Sequence, residues 1–233
     1  MPARAAGGIL PVVSRAHGAL SLAQHRIFRQ TSESLATALE DGVKAILGRS
    51  LQVVTGPPLR EKFTRMPALG VYLYRVNVRP RRREDLPTLV CQIDESGVVR
   101  EFYQDPPLRI GLDYLVSAWA DEDAEQQELL GTAMQVLMNH PVLEGDLLEG
   151  DAFDPETRIP MRPVEELSVE FLMSLWRGFG EHLRPAVGYT CRVRMESPRR
   201  LKVARSVEDV EMGVNWSPER GTRRATTATG SGT

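Results

Sequence analysis

Between Thr31 and Gly48 the chain reads "TSESLATALEDGVKAILG", with Leu35, Leu39, Val43 and the pair Ile46–Leu47 recurring at steps of three and four. That is the period of a helix with one apolar face. Thr31 or Ser32 can supply the oxygen that accepts from the free N–H groups of the first turn, and Gly48 can adopt the left-handed conformation that ends a helix. A second helical pattern follows Asp121. Leu129, Ala133 and Leu137 form one row, Leu130, Met134 and Met138 the adjacent row, and together they predict one buried stripe. Pro141 restricts His140 and stops the helix there. A third pattern, "SVEFLMSLWRGFG", gathers Phe171, Leu172, Leu175, Trp176 and Phe179 on one side, with Ser168 as its cap and Gly178 or Gly180 as its stop.

Other stretches alternate with a period of two. "GVYLYRVNV", Gly70–Val78, puts Tyr72, Tyr74, Val76 and Val78 on one face, and Val71, Leu73, Arg75 and Asn77 on the other. Ile110–Trp119 places Ile110, Leu112, Tyr114, Val116 and Ala118 together, as expected of a strand with one face on a core. "PAVGYTCRVRMES" aligns Val187, Tyr189, Cys191, Val193 and Met195, with Arg192 and Arg194 pointing the other way. "LVCQI" and "VVREF" are shorter strands around a turn at Asp94–Gly97. About five or six strands with three interspersed helices predict an α+β fold, a single domain with a mostly antiparallel sheet flanked by helices.

The pattern also divides the chain. Residues 1–30, rich in Ala, Gly and Arg, carry no sustained period and read as a flexible arm with a short helix at Leu20–Phe28. Residues 31–197 form the patterned domain. Residues 198–233 form a C-terminal arm whose end, "GTRRATTATGSGT", has the low complexity of a disordered tail. Within that arm Leu201, Val203, Arg205 and Val207 fall on one face of a strand-like alternation, and a strand left at a domain edge offers unpaired N–H and C=O groups.

A composition of 42% hydrophobic and 26% charged residues fits a soluble globular protein, and a net charge of −2 points to no nucleic-acid partner. Cys91 and Cys191 lie far apart and read as two buried, reduced thiols. No apolar run approaches the roughly 20 residues of a membrane span. "GGILPVV" is too short for a signal-peptide core, so the expected location is cytoplasmic.

Candidate chemistry is sparse. The sequence contains no nucleophile elbow, zinc-protease helix, phosphate-binding loop or dinucleotide fingerprint. His17, His25, His140 and His182 have no partner at ligand or triad spacing. The acids Asp121, Glu122, Asp123 and Glu125 stand where a helix N-terminus favours carboxylates, by about 0.3–1 kcal/mol each when exposed, and read as a helix start rather than a metal site. The densest charge is "RPRRRED", where Arg79, Arg81, Arg82 and Arg83 precede Glu84 and Asp85. Without interleaved aromatics it reads as a solvated loop or a protein contact, not a nucleic-acid site. No catalytic residue, metal or cofactor is expected.

Three separated blocks carry a resemblance: Pro67–Val76, Pro106–Gly145 and Leu167–Val193. Together they resemble the cap, or tail-terminator, proteins of contractile injection systems, the phage-tail-like particles of antifeeding-prophage type. The likeness runs from about Thr31 to Ser197 in blocks of matching type and order. The stretch before Thr31 departs from the family pattern, in which the first helix starts near the chain start. The resemblance implies a tail-terminator-like fold and a structural role: a hexameric ring of copies of the chain that ends the inner tube and anchors the extended sheath, away from the baseplate. It implies the tube and sheath proteins as partners, no enzymatic activity, and residence in an assembled particle, which lysis of the producer can release. The charged run and the alternating arm supply the contact candidates for such a role: Arg79, Arg81, Arg82, Arg83, Leu201, Val203, Arg205 and Val207. The alternatives are an assembly adaptor or chaperone left out of the particle, and a small-ligand protein or enzyme using Asp121–Glu125 or His182.

Overall fold

The computed structural model describes residues 22–80, 85–93, 97–197 and 200–202. A 3-10 segment at Leu22–Arg26 leads into α1 (Ile27–Leu47). The chain continues through β1 (Gln52–Thr55), β2 (Ala68–Val78), β3 (Thr88–Ile93), β4 (Val99–Gln104) and β5 (Leu108–Trp119). Then come α2 (Asp123–Asn139), β6 (Val142–Glu144), β7 (Arg158–Pro163), α3 (Val169–Gly178), β8 (Ala186–Met195) and β9 (Arg200–Lys202). Six strands form one sheet in the order β1-β2-β5-β8-β7-β6, and β3, β4 and β9 form a second. Among the described strands only β1 with β2 is parallel. The result is the α+β domain with a mostly antiparallel sheet that the periodicity predicts.

The inner face of the large sheet carries the main core. Ile110, Leu112, Tyr114, Val116 and Ala118 of β5 lie beside Tyr189, Cys191 and Val193 of β8, under Leu35, Leu39 and Val43 of α1 and Leu129, Ala133 and Val136 of α2. Gly42 of α1 faces Val136, and any Cβ there would run into that side chain, so the glycine sets how closely the helices approach. On the outer face, α3 covers one half of the sheet. Trp176 joins Phe63, Ala68, Leu115 and Trp119 in a second apolar cluster. Phe63 stacks on Trp119 at 4.0 Å, and the Arg184 guanidinium lies over the same indole at 4.3 Å.

The elements keep several expected signals. Gly48 ends α1 at φ 68°, its N–H donating to the Lys44 carbonyl, and Ser168 caps α3 by accepting from the Phe171 N–H. His140 is the C-cap of α2, with its N–H on the Val136 carbonyl. Five readings change. First, α1 starts at Ile27 rather than Thr31. Thr31 and Ser32 are not caps; their hydroxyls donate to the Ile27 and Phe28 carbonyls one turn back. Buried Ile27 and Gln30 extend the helix backwards, because the Gln30 amide donates to Asp151 and accepts from the Ala152 N–H. Residues 22–30 are thus part of the folded unit, while residues 1–21 lie outside the described residues.

Second, α2 is turned so that Gln126, Leu129, Ala133, Val136 and Leu137 are buried, while Met134 and Met138 stand 43% and 72% exposed. Gln126 is accommodated inside by donating to the Ala120 carbonyl. Third, β1, β6 and β7 were not expected; they are short, and β7 contains Pro160 and Pro163, which lack the N–H a ladder uses. Fourth, a bulge between Leu73 and Arg75 exchanges the faces of β2 beyond it: Arg75 and Asn77 share the outer face with Tyr72, and Val76 and Val78 the inner face with Val71. Fifth, Cys91 is half-buried, not buried. Cys191 is buried as expected, and burial pushes its thiol up to about 12.

Trp119 is fully buried among two aromatic rings and a guanidinium. Trp119→Ala should therefore cost about 3–5 kcal/mol of unfolding free energy, against less than ~0.5 for Met138→Ser on the open side of α2. Urea unfolding followed by far-ultraviolet dichroism measures both. Equal midpoints for the two variants would overturn the assignment of the outer apolar cluster.

Candidate interaction surfaces

The uncovered half of the outer sheet face is polar and mostly basic. The registers place Arg75 opposite Asp113 and Asp113 opposite Thr190, Asn77 opposite Gly111 and Gly111 opposite Arg192, and Arg109 opposite Arg194. Arg162 of β7 continues the row beside Thr190. All five arginines are exposed. At their centre Asp113 is 1% exposed. Its carboxylate accepts from Arg75 Nε at 2.6 Å, Asn77 Nδ2 at 2.7 Å and Thr190 Oγ1 at 2.6 Å. Three donors offset the cost of taking the charge out of water, and they tie β2, β5 and β8 together in one register.

The sequence candidates fall around this face. Arg79 is exposed at its rim, its backbone N–H donating to the Arg109 carbonyl at 2.9 Å. Asp85 folds back from the charged loop onto Arg109 Nη2 at 2.8 Å. Arg81, Arg82 and Arg83 lie outside the described residues. Leu201 falls in β9, where its backbone pairs in register with Tyr103 of β4. The start of the C-terminal segment is thus an edge strand of its own small sheet. Val203, Arg205 and Val207 lie outside the described residues. The small sheet also exposes Val98, Val99 and Tyr103, at 54%, 57% and 40%.

The acidic cluster is the N-terminal turn of α2. Asp123 and Glu125 lie in its first turn, and Glu122 is the N-cap residue without a side-chain cap bond. Glu125 pairs with Arg49 at 2.8 Å and Asp121 with Arg60 at 3.6 Å. Asp121, Asp123 and His182 do meet, at a cavity of about 380 Å³ lined also by Arg60 and Arg184. Among the described residues no hydrogen bond joins His182 to either acid. No group of three His, Cys, Asp or Glu residues is placed to hold a metal among the described residues. No helix among them is long and apolar enough to cross a membrane.

Two features were missed in the sequence. Asp113 looked like a solvent-side position of an alternating strand. The segment Glu144–Glu156 has the look of a loop, with Gly145, Gly150 and Pro155, although it holds six acids and no basic residue. Its Leu147, Leu148, Ala152 and Phe153 pack into the inner core, which fixes it at the β6 edge.

Comparison with known proteins gives this arrangement a context. The Pvc16 N-terminal domain family matches residues 30–209. No curated protein matches the chain. The fold superposes on the sheath/tube terminator of the PVC extracellular contractile injection system in its extended state, with a TM-score of 0.53, 14% identity, and coverage of 79% of this chain and 65% of that one. It also superposes on the anti-feeding prophage cap, a tube-terminating cap, with a TM-score of 0.51, 12% identity, and coverage of 82% and 63%. The chain thus spans slightly less than two thirds of either terminator's length. The terminator resemblance carried by the three sequence blocks is borne out, and the shared fold is that of a tube terminator.

The Asp113 node generates a stability prediction. Asp113→Ala strands three donors on the outer face. With Arg75 open to solvent, the expected cost is about 1–3 kcal/mol, while Arg75→Ala should cost less because Asn77 still donates to the same carboxylate oxygen and Thr190 to the other. Chemical denaturation of both variants tests the order, and an Asp113→Ala variant as stable as the parent would remove the node from the account.

Proposed function

The chain belongs to the Pvc16 N-terminal domain family, and from that premise we propose that it is the structural cap of a contractile injection system. In this reading copies of the chain close into a hexameric ring on the inner tube at the end distal to the baseplate. The ring stops tube growth and holds the sheath extended. Its partners are further copies of itself, the tube protein and the sheath protein. The protein works as a part of the particle and not as an enzyme, and it is found with the particle.

The observation that carries the reading is the extent of the family match, which takes in the whole six-stranded sheet together with α2 and α3. A closed ring needs two different surfaces per subunit meeting head to tail. The bare basic sheet face and the acidic β6 edge are two such surfaces. The proposed sheath contact is the arm that follows β9. Leu201 is followed by Val203, Arg205 and Val207 at alternate positions, and a strand added to a sheath subunit's sheet gains main-chain hydrogen bonds with little demand on side chains. Arg79, Arg81, Arg82 and Arg83 are proposed to flank the contacts with neighbouring subunits.

Deleting the gene should give particles with tubes and sheaths of uncontrolled length, and a labelled chain should appear at the end opposite the baseplate on wild-type particles. Electron microscopy reads both. Normal lengths from the deletion strain would sink the cap reading. Controlled assembly that depends on the protein, with no copy left on the finished particle, would instead point to an adaptor or chaperone.

Truncation after Lys202 keeps β9 on β4 and removes only the arm. The truncated chain should keep the parent's melting transition and still occupy tube ends, while the fraction of particles with extended sheath falls. An unchanged extended fraction would rule out the arm as the sheath contact.

A further inference from the structure

Arg162, Arg192 and Arg194 stand together on the open half of the outer face, and no carboxylate lies within ion-pair distance of any of them among the described residues. Arg194 faces Arg109 directly across the β5–β8 ladder. Like charges placed so are destabilising, and Asp85 pairs with Arg109. The fold therefore holds a cluster of arginines that its own described carboxylates do not neutralise.

The opposite signature lies at the β6 edge. Within Glu144–Glu156, Glu144 pairs with Arg158 and Asp151 with Arg26, but Asp146, Glu149, Asp154 and Glu156 are exposed and have no ion-pair partner among the described residues. Burial first, and Asp154 second, raise the neighbouring Glu196 carboxyl, with Arg194 opposing them. The segment's apolar residues enter the core on the inner side of the sheet, whereas the arginines stand on the outer side. The acids at the start of α2 suit the role less well, since Asp121 and Glu125 already have arginine partners.

We propose that Arg162, Arg192 and Arg194 of one copy receive the acidic segment Glu144–Glu156 of the next. The occupant is a second copy because one chain carries both complementary surfaces, on different sides, as a heterologous closed ring requires. An isologous contact centred on the arginines themselves would set like charges together. The inference rests on the ring reading and names the surfaces that close the ring.

The test is a charge exchange on assembled particles. One variant carries Arg192→Glu with Arg194→Glu, the other Glu149→Lys with Glu156→Lys. Each alone should lower occupancy of tube ends about tenfold or more, since the reversed positions meet like charges at both of a subunit's self-contacts. Co-expressed, the two should restore rings, because alternating subunits regain opposite charges at every contact. Wild-type occupancy by either variant alone, or no recovery on mixing, overturns the assignment. Should a reversal lower the melting midpoint, oxidation of Arg192→Cys and Glu156→Cys copies mixed on particles decides instead: a bond between the two supports the contact, and its absence overturns it. Wild-type particles without rings would defeat the ring reading itself, whereas wild-type rings with unaffected variants defeat only this choice of surfaces.

Discussion

The structure turns on β5 being buried on both faces. Every residue from Ile110 to Trp119 is inside, so the nine side chains of this run must find partners. The inner row does so by packing. The outer row, Gly111, Asp113, Leu115, Ser117 and Trp119, mixes polar and apolar groups and cannot. Ser117 accepts from the Trp119 indole N–H, and Asp113 draws donors from both neighbouring strands. An ionised carboxylate without donors would be far more costly than any one hydrogen bond gains. The requirement fixes where Arg75, Asn77 and Thr190 stand, and the bulge in β2 is how the chain meets it. Tyr74 is the extra residue; were it paired regularly in the ladder, Arg75 would fall opposite Leu112 on the inner face, since a one-residue slip reverses a strand's sides.

From this one row the outer face acquires two halves. Where Trp119 and Leu115 emerge, apolar surface has to be covered, and α3 with Phe63 covers it. Where Asp113 emerges, the neighbours are arginines, and among the described residues no element is laid over them. Exposed ion pairs contribute only about 0–1 kcal/mol, so the arginine rows do little for the fold. They are better understood as surface chemistry made possible by a sheet already held together by its opposite face.

Much of this was legible in the sequence because long elements repeat their signal. Leu35, Leu39 and Val43, or Val187 through Met195, state their period several times, and all of them reach the main core. The contractile-particle resemblance was legible because three long blocks kept their order. A feature built on one residue has no repetition to reveal it. Tyr74 inserts a bulge without disturbing the run of strand-forming residues around it. The start of α1 depends on Gln30 meeting Asp151 and Ala152, more than a hundred positions away. Asp113 occupies a polar slot in an alternating strand, which is how a solvent-facing residue also looks; its burial follows from strands on both sides that no local pattern announces. Of the contact candidates, Arg79 and the backbone of Leu201 are placed, and both lie at margins where sequence periodicity is weakest.

At the β1 margin of the large sheet a small contact governs how the molecule behaves in company. Glu40 on α1 extends a carboxylate oxygen to the Val53 N–H at 3.3 Å, occupying a donor that the four-residue edge strand would otherwise offer to a stranger. A sheet edge is a template for further strands, and a helix-borne side chain here plugs it. Growth by strand stacking from that margin would first have to expel a charged group anchored in the same chain. A subunit whose proposed task is to bring a polymer to its end carries, on its own outermost strand, a stopper against becoming the seed of another.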